Sequence, residues 1–96
     1  MNKEEIINII KKNKGQLNVQ FGVTKIGLFG SYARGQADIN SDIDIIVEIN
    51  NADLFLLVAV KNYLRELLKS EVDIVRFRNK MNAHLKKRIL NDVIYV

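Results

Sequence analysis

The residues of this chain whose types and spacing could do chemistry are three aspartates and one glycine–serine step. Gly30-Ser31 is followed, after the ten residues 32–41, by Asp42-Ile43-Asp44, and Asp73 lies further on in the apolar run Val72-Asp73-Ile74-Val75. On an extended strand alternate side chains share a face, so Asp42 and Asp44 project together while Ile43 and Ile45 turn the other way. Two carboxylates about 7 Å apart, at roughly 3.4 Å of rise per residue, repel one another unless a cation sits between them. A pair of magnesium ions about 3.5–4 Å apart fits that span. If the strand of Asp73 is a neighbour, its carboxylate joins the pair, and three such groups on an apolar sheet are costly without metal. Asp42, Asp44 and Asp73 are therefore the candidate metal ligands and catalytic residues, with Asp73 the candidate general base.

Gly30 and Ser31 sit where an apolar strand gives way to a turn. Glycine allows close backbone approach, and the free N–H groups of a following helical turn can hold phosphate oxygens. Ser31 adds a hydroxyl donor, and Arg34, one turn on, can meet a phosphate by a bidentate contact. One end of a nucleoside triphosphate would rest on Gly30, Ser31 and Arg34 and the other on metals held by Asp42 and Asp44. A Gly-Ser step alone is a common turn, and Asp-x-Asp alone is an ordinary strand edge. The spaced combination arises by chance in roughly one chain in a thousand of this length, and its strand–turn–strand context narrows that further.

These residues need a sheet beneath them. Lys25 to Gly30 reads as a short buried strand, Ser31 to Gly35 as a tight turn or first helical turn, and Gln36 to Ser41 as a polar loop. Asp42 to Ile49 reads as a second, central strand, β-branched and apolar in its middle. Glu71 to Val75 is a third strand, and Val93 to Val96 a possible edge. Helices are expected over Lys3–Asn13, capped by Asn2 and stopped by Gly15, with a further short helical turn open to Gln16–Gly22, and from an Asp53 cap to about Lys69. A last helix is expected over Asn79–Asn91, with Met81, Leu85, Ile89 and Leu90 on one side. The expected fold is α/β: one domain over 1–96, with a small mixed sheet of three or four strands and helices packed on it. The first two turns of the helix after Asp53, Leu54 to Val60, are apolar all round, which fits either a partner surface or one side on the sheet.

Composition bounds the alternatives. The chain has 96 residues, no Cys and one His, so disulfide, thiolate and His-rich metal sites are excluded and any metal would be held by oxygen. No apolar run approaches 18 residues, against a membrane span, and an acidic start, Glu4-Glu5, does not suit a secretory leader, so the expected setting is the cytoplasm. The net charge of +4 is concentrated in residues 61–96. That basic third is open to a solvated helix face, an acidic partner or nucleic acid. Only 7% of residues are aromatic, which makes a stacking nucleic-acid binder the weaker reading. His84 reads as a surface residue, and Tyr32 as either a base-stacking or a packing residue.

Gly27-Leu28-Phe29-Gly30-Ser31-Tyr32-Ala33-Arg34-Gly35 and Ser41-Asp42-Ile43-Asp44-Ile45-Ile46-Val47 together resemble the minimal nucleotidyltransferases of the DNA polymerase beta superfamily. Their signature is Gly-Ser, ten residues, Asp-x-Asp, and Asp73 matches the position of their third carboxylate. The resemblance covers nearly the whole chain. It implies a polymerase-beta-like fold, ATP as the donor, two magnesium ions, and a partner of the HEPN type, a small helical ribonuclease toxin. In that setting the chain would be an antitoxin that adds AMP to a tyrosine of the toxin. The competing expectation is an antitoxin that neutralises its partner by contact alone. The sequence leaves the nucleotide, the acceptor hydroxyl and the oligomeric state open.

Overall fold

A computed structural model describes residues 1–51 and 53–96. Helix α1 runs from Lys3 to Phe21. Asn2 caps it through a reciprocal box with Glu5, whose backbone N–H donates to the Asn2 side chain at 2.9 Å. The helix passes straight through Gly15 and ends at Gly22, which adopts φ 74°. The expected stop at Gly15 is thus wrong, for an energetic reason. A helical glycine costs about 1 kcal/mol relative to alanine. Continuing the helix buries Leu17 and Phe21 beside Ile6 and Ile10, each such side chain being worth about 1.5–3 kcal/mol. A side chain at position 15 would meet nothing within 4 Å. Gly15→Ala is therefore expected to stabilise the domain by about 0.5–1 kcal/mol, seen as a melting temperature several degrees higher.

Strand β1 (Val23–Phe29) leads into the short helix α2 (Gly30–Ala33), and β2 (Ile43–Ile49) follows the polar loop. Helix α3 (Leu54–Leu68) is capped by Asp53, which accepts from the Phe55 N–H at 2.8 Å. Then come β3 (Val72–Arg76), α4 (Ala83–Asp92, capped by Asn82) and β4 (Ile94–Tyr95). The last helix starts later than its apolar pattern suggested. Met81 is buried just ahead of the helix rather than on it, and Leu90 is 51% exposed instead of facing inward.

The strands order β3-β2-β1-β4. β1 is antiparallel to both β2 and β4, and β2 is parallel to β3. The sheet is thus mixed and four-stranded, as the alternation of elements predicts.

Side-chain alternation then divides the sheet into two unequal faces. Ile43, Ile45, Val47 and Ile49 of β2 join α1 and α3 in the main core, with Ile26, Leu28 and Val72. Ile46 points the other way and meets Phe29, Met81 and Ile89 under α4. Asp44 has the parity of Ile46, and Asp73 that of Val75, which packs on the same second cluster. The acidic residues thus stand on the thinly covered face, at the end of the strands that α4 leaves open.

Candidate active site

The register of the parallel pair sets the centre of the site. Asp44 of β2 is the direct partner of Asp73 on β3, and on its other side Asp44 faces Phe29 of β1. Neighbouring strands lie about 4.8 Å apart, so two carboxylates emerge side by side from the same face. Asp42 precedes β2 by one residue and is exposed. Its position is set by the loop before it. Asp38 accepts from the Asn40 N–H at 2.8 Å, and the Asp38 N–H donates to Ser41 Oγ at 3.0 Å. This Asx-type turn holds the chain as it enters the strand.

Gly30 closes the site from the β1 side. Its φ is +75°, and a Cβ placed on it would overlap the Asp44 carboxylate. Glycine is required there twice over, for the left-handed backbone and for the space that Asp44 occupies. Ser31 follows as the second residue of α2 and is half-buried. Helix starts leave backbone N–H groups without intrahelical partners. Arg34, the C-cap of α2, does not point freely into the cleft. Its guanidinium donates to Asp92 Oδ2 of α4 at 2.6 Å and to Gln36 Oε1 at 3.0 Å.

Asp44, Asp73 and Gly30 share one open cleft of about 380 Å³ with Leu85, Arg88 and Asp92 of α4. Arg88 and Asp92 were not singled out from sequence, and Leu85 only as part of the apolar side of the helix, although the three fall at helical spacing on one face. Tyr32 packs against the main core and His84 is exposed, in line with the packing and surface readings.

Electrostatics mark Asp44 out. Burial pushes its carboxyl above the ordinary value of 3.8, and the nearby charges of Asp73 and Asp42 push the same way, against Arg34 and Arg88. Asp42 and Asp73 thus both act on Asp44, yet among the described residues no three acidic or imidazole groups stand close enough to enclose an ion. Asp44 and Asp73 are nonetheless neighbours by strand register. Their donor chemistry, oxygen only and crowded with negative charge, fits a hard divalent cation such as magnesium.

A pH dependence follows with a definite sign. A carboxyl raised on folding favours the folded state below its unfolded value, and that contribution is lost as pH rises through the folded value. Ionising Asp44 therefore costs the metal-free domain stability. Asp44→Asn is expected to raise the urea midpoint at neutral pH, with the gain shrinking as pH falls towards 3.8. Magnesium should reproduce the gain in the wild type and not in the variant. An unchanged midpoint for Asp44→Asn at neutral pH would remove this account.

The comparisons with known proteins bear on the same residues. A model of the nucleotidyltransferase domain matches residues 3–96, nearly the whole chain. The chain belongs to the nucleotidyltransferase domain family. The protein adenylyltransferase MntA of Thermococcus cleftensis is 38% identical over 94 residues, covering 97% of this chain and 94% of that protein. Among solved structures, a chain from a toxin–antitoxin crystal structure with AMP-PNP is 28% identical, with TM-score 0.70 over 99% of this chain and 72% of that chain. A chain from the complex of a tri-AMPylated Shewanella oneidensis HEPN toxin with its MNT antitoxin is 25% identical, with TM-score 0.61 over 98% of this chain and 67% of that chain. The mixed sheet with helices of this nucleotidyltransferase is the fold that its sequence resemblance implied. No helix among its described residues is long and apolar enough to cross a membrane.

Proposed function

We propose that this nucleotidyltransferase, acting as one catalytic domain over residues 1–96, transfers AMP from ATP to a tyrosine hydroxyl of a cognate HEPN-type toxin and so serves as its antitoxin. The observation that carries the reading is the pairing of Asp44 with Asp73 across adjacent strands, against the Gly30 turn, in one open cleft. The adenylyltransferase name of its relative, the AMP-PNP of one neighbour and the AMPylated toxin of another support donor and acceptor. A cysteine-free chain that uses ATP suits the cytoplasm.

In this reading Gly30, Ser31 and Arg34 hold the β- and γ-phosphates, Arg34 by exchanging its Asp92 partner for phosphate oxygens. Asp42, Asp44 and Asp73 would hold two magnesium ions, which offset phosphate charge and acidify the acceptor hydroxyl when bound. The acceptor oxygen bonds to the α-phosphorus, the bond from that phosphorus to the bridging oxygen breaks, and pyrophosphate leaves. Asp73, the more exposed of the strand pair, takes the hydroxyl proton. The protein contributes position and charge and forms no covalent intermediate.

The acceptor needs a docking face, and α3 offers one. Leu54 is 71% exposed and Phe55 84%, with Val58 beside them. Apolar side chains gathered this way on a small domain mark an interaction surface. The basic outer face of α4 is the second candidate.

The deciding experiment is intact-mass analysis of the HEPN-type protein encoded beside this chain, incubated with the enzyme, magnesium and each nucleoside triphosphate. The expected result is a gain of whole adenylyl groups on tyrosine with ATP and none with the others. No mass gain with any nucleotide would overturn the proposal.

A further inference from the structure

The cleft contains a cation that the catalytic reading above does not use. Arg88 projects from α4 into the same space as Gly30, Asp44 and Asp73. The other lining charges, Asp44, Asp73 and Asp92, are negative. Arg34, the cation expected from the sequence, is turned onto Asp92. Arg88 has no carboxylate partner within ion-pair distance among the described residues, and it is exposed to solvent on the cleft side of its helix. Its charge reaches the catalytic centre, where it counts among the groups acting on Asp44. A guanidinium whose planar fork is not engaged matches phosphate oxygens in pairs.

We infer that Arg88 binds the polyphosphate tail of the nucleotide from the α4 side of the cleft, opposite the Gly30 turn. The tail would then be held between two elements, α2 and α4. The inference rests on the nucleotidyltransferase reading of the cleft, and it concerns donor binding only. No acceptor is needed to test it.

The experiment measures the dissociation constants of magnesium AMP-PNP and of AMP by calorimetry, without acceptor, for the wild type, Arg88→Ala and Arg88→Lys. Loss of a charge-assisted phosphate contact weakens binding about tenfold to a hundredfold. That loss is expected for AMP-PNP with Arg88→Ala. AMP should change less than about twofold, and Arg88→Lys should recover part of the loss. Arg88 lies outside both apolar clusters, so melting temperatures should match the wild type. Unchanged AMP-PNP affinity in Arg88→Ala would overturn the inference. So would equal weakening of AMP-PNP and AMP, which would make the residue a structural support of the cleft. If no variant and no wild type binds AMP-PNP at all, the nucleotidyltransferase reading of the cleft fails instead.

Discussion

Asp44→Ala is expected to lower AMP transfer by about 10³-fold or more while leaving the domain folded. Asp44 is the acidic side chain at the centre of the site. It pairs with Asp73, fills the space beside Gly30 and shares charge with Asp42. A divalent cation stabilises the charge of a transferring phosphoryl group by several kcal/mol, and each 1.36 kcal/mol is a factor of ten in rate. Removing a central ligand forfeits most of that. The fold should survive, because Asp44 belongs to neither apolar cluster and carries an unfavourable charge when ionised. The rate of AMP incorporation, read beside a urea titration, decides the matter. Asp42→Ala should act in the same direction. Transfer at the wild-type rate by either variant would refute the assignment. If a double variant at both positions transfers nothing yet silences the toxin fully, contact alone is the antitoxin mechanism.

Gly30→Ala should cost activity without touching any acid. The backbone there has φ +75°, and the added methyl would overlap the Asp44 carboxylate. The conformational part costs about 1–2 kcal/mol of stability. The steric part forces Asp44 aside, and misplacing a reacting group by about 1 Å can cost 10²-fold in rate. Gly35 separates the two contributions. It shares the left-handed backbone, with φ +70°, but a Cβ there would meet nothing within 4 Å. Gly35→Ala should therefore lose similar stability and keep most of the transfer rate. Equal activity losses in the two variants would show that strain, and not the displacement of Asp44, is responsible.

Much of this site could be read from residue types alone. The Asp42-x-Asp44 spacing on a β-branched run placed Asp44 on a strand and on one face, and the apolar run around Asp73 made it a strand neighbour. What remained illegible depended on tertiary packing. Gly15 looked like a helix stop because the gain from burying Leu17 and Phe21 cannot be seen locally. Arg34 looked free for phosphate because Asp92, 58 residues away in sequence, gives no local sign of meeting it. Arg88 looked like any lysine or arginine on a solvated helix, since only the fold reveals that its face of α4 turns onto the cleft. The carboxylate trio was expected to converge. Instead Asp44 and Asp73 are paired by register, while Asp42 stands one residue outside the strand.

The strict in-and-out alternation of β2 also limits how the chain can tolerate changes of length. Residues 36–41 form a polar surface loop, and lengthening such a loop costs only a slowly growing entropy. Beyond Ile43 a single inserted or deleted residue would turn every later side chain over, sending Asp44 into the oily interior and Ile45 out among the phosphates. Indels before Ser41 should thus leave the sheet standing and cost activity only where they break the Asp38–Ser41 turn that sets Asp42, whereas beyond Ile43 they should destroy the core itself.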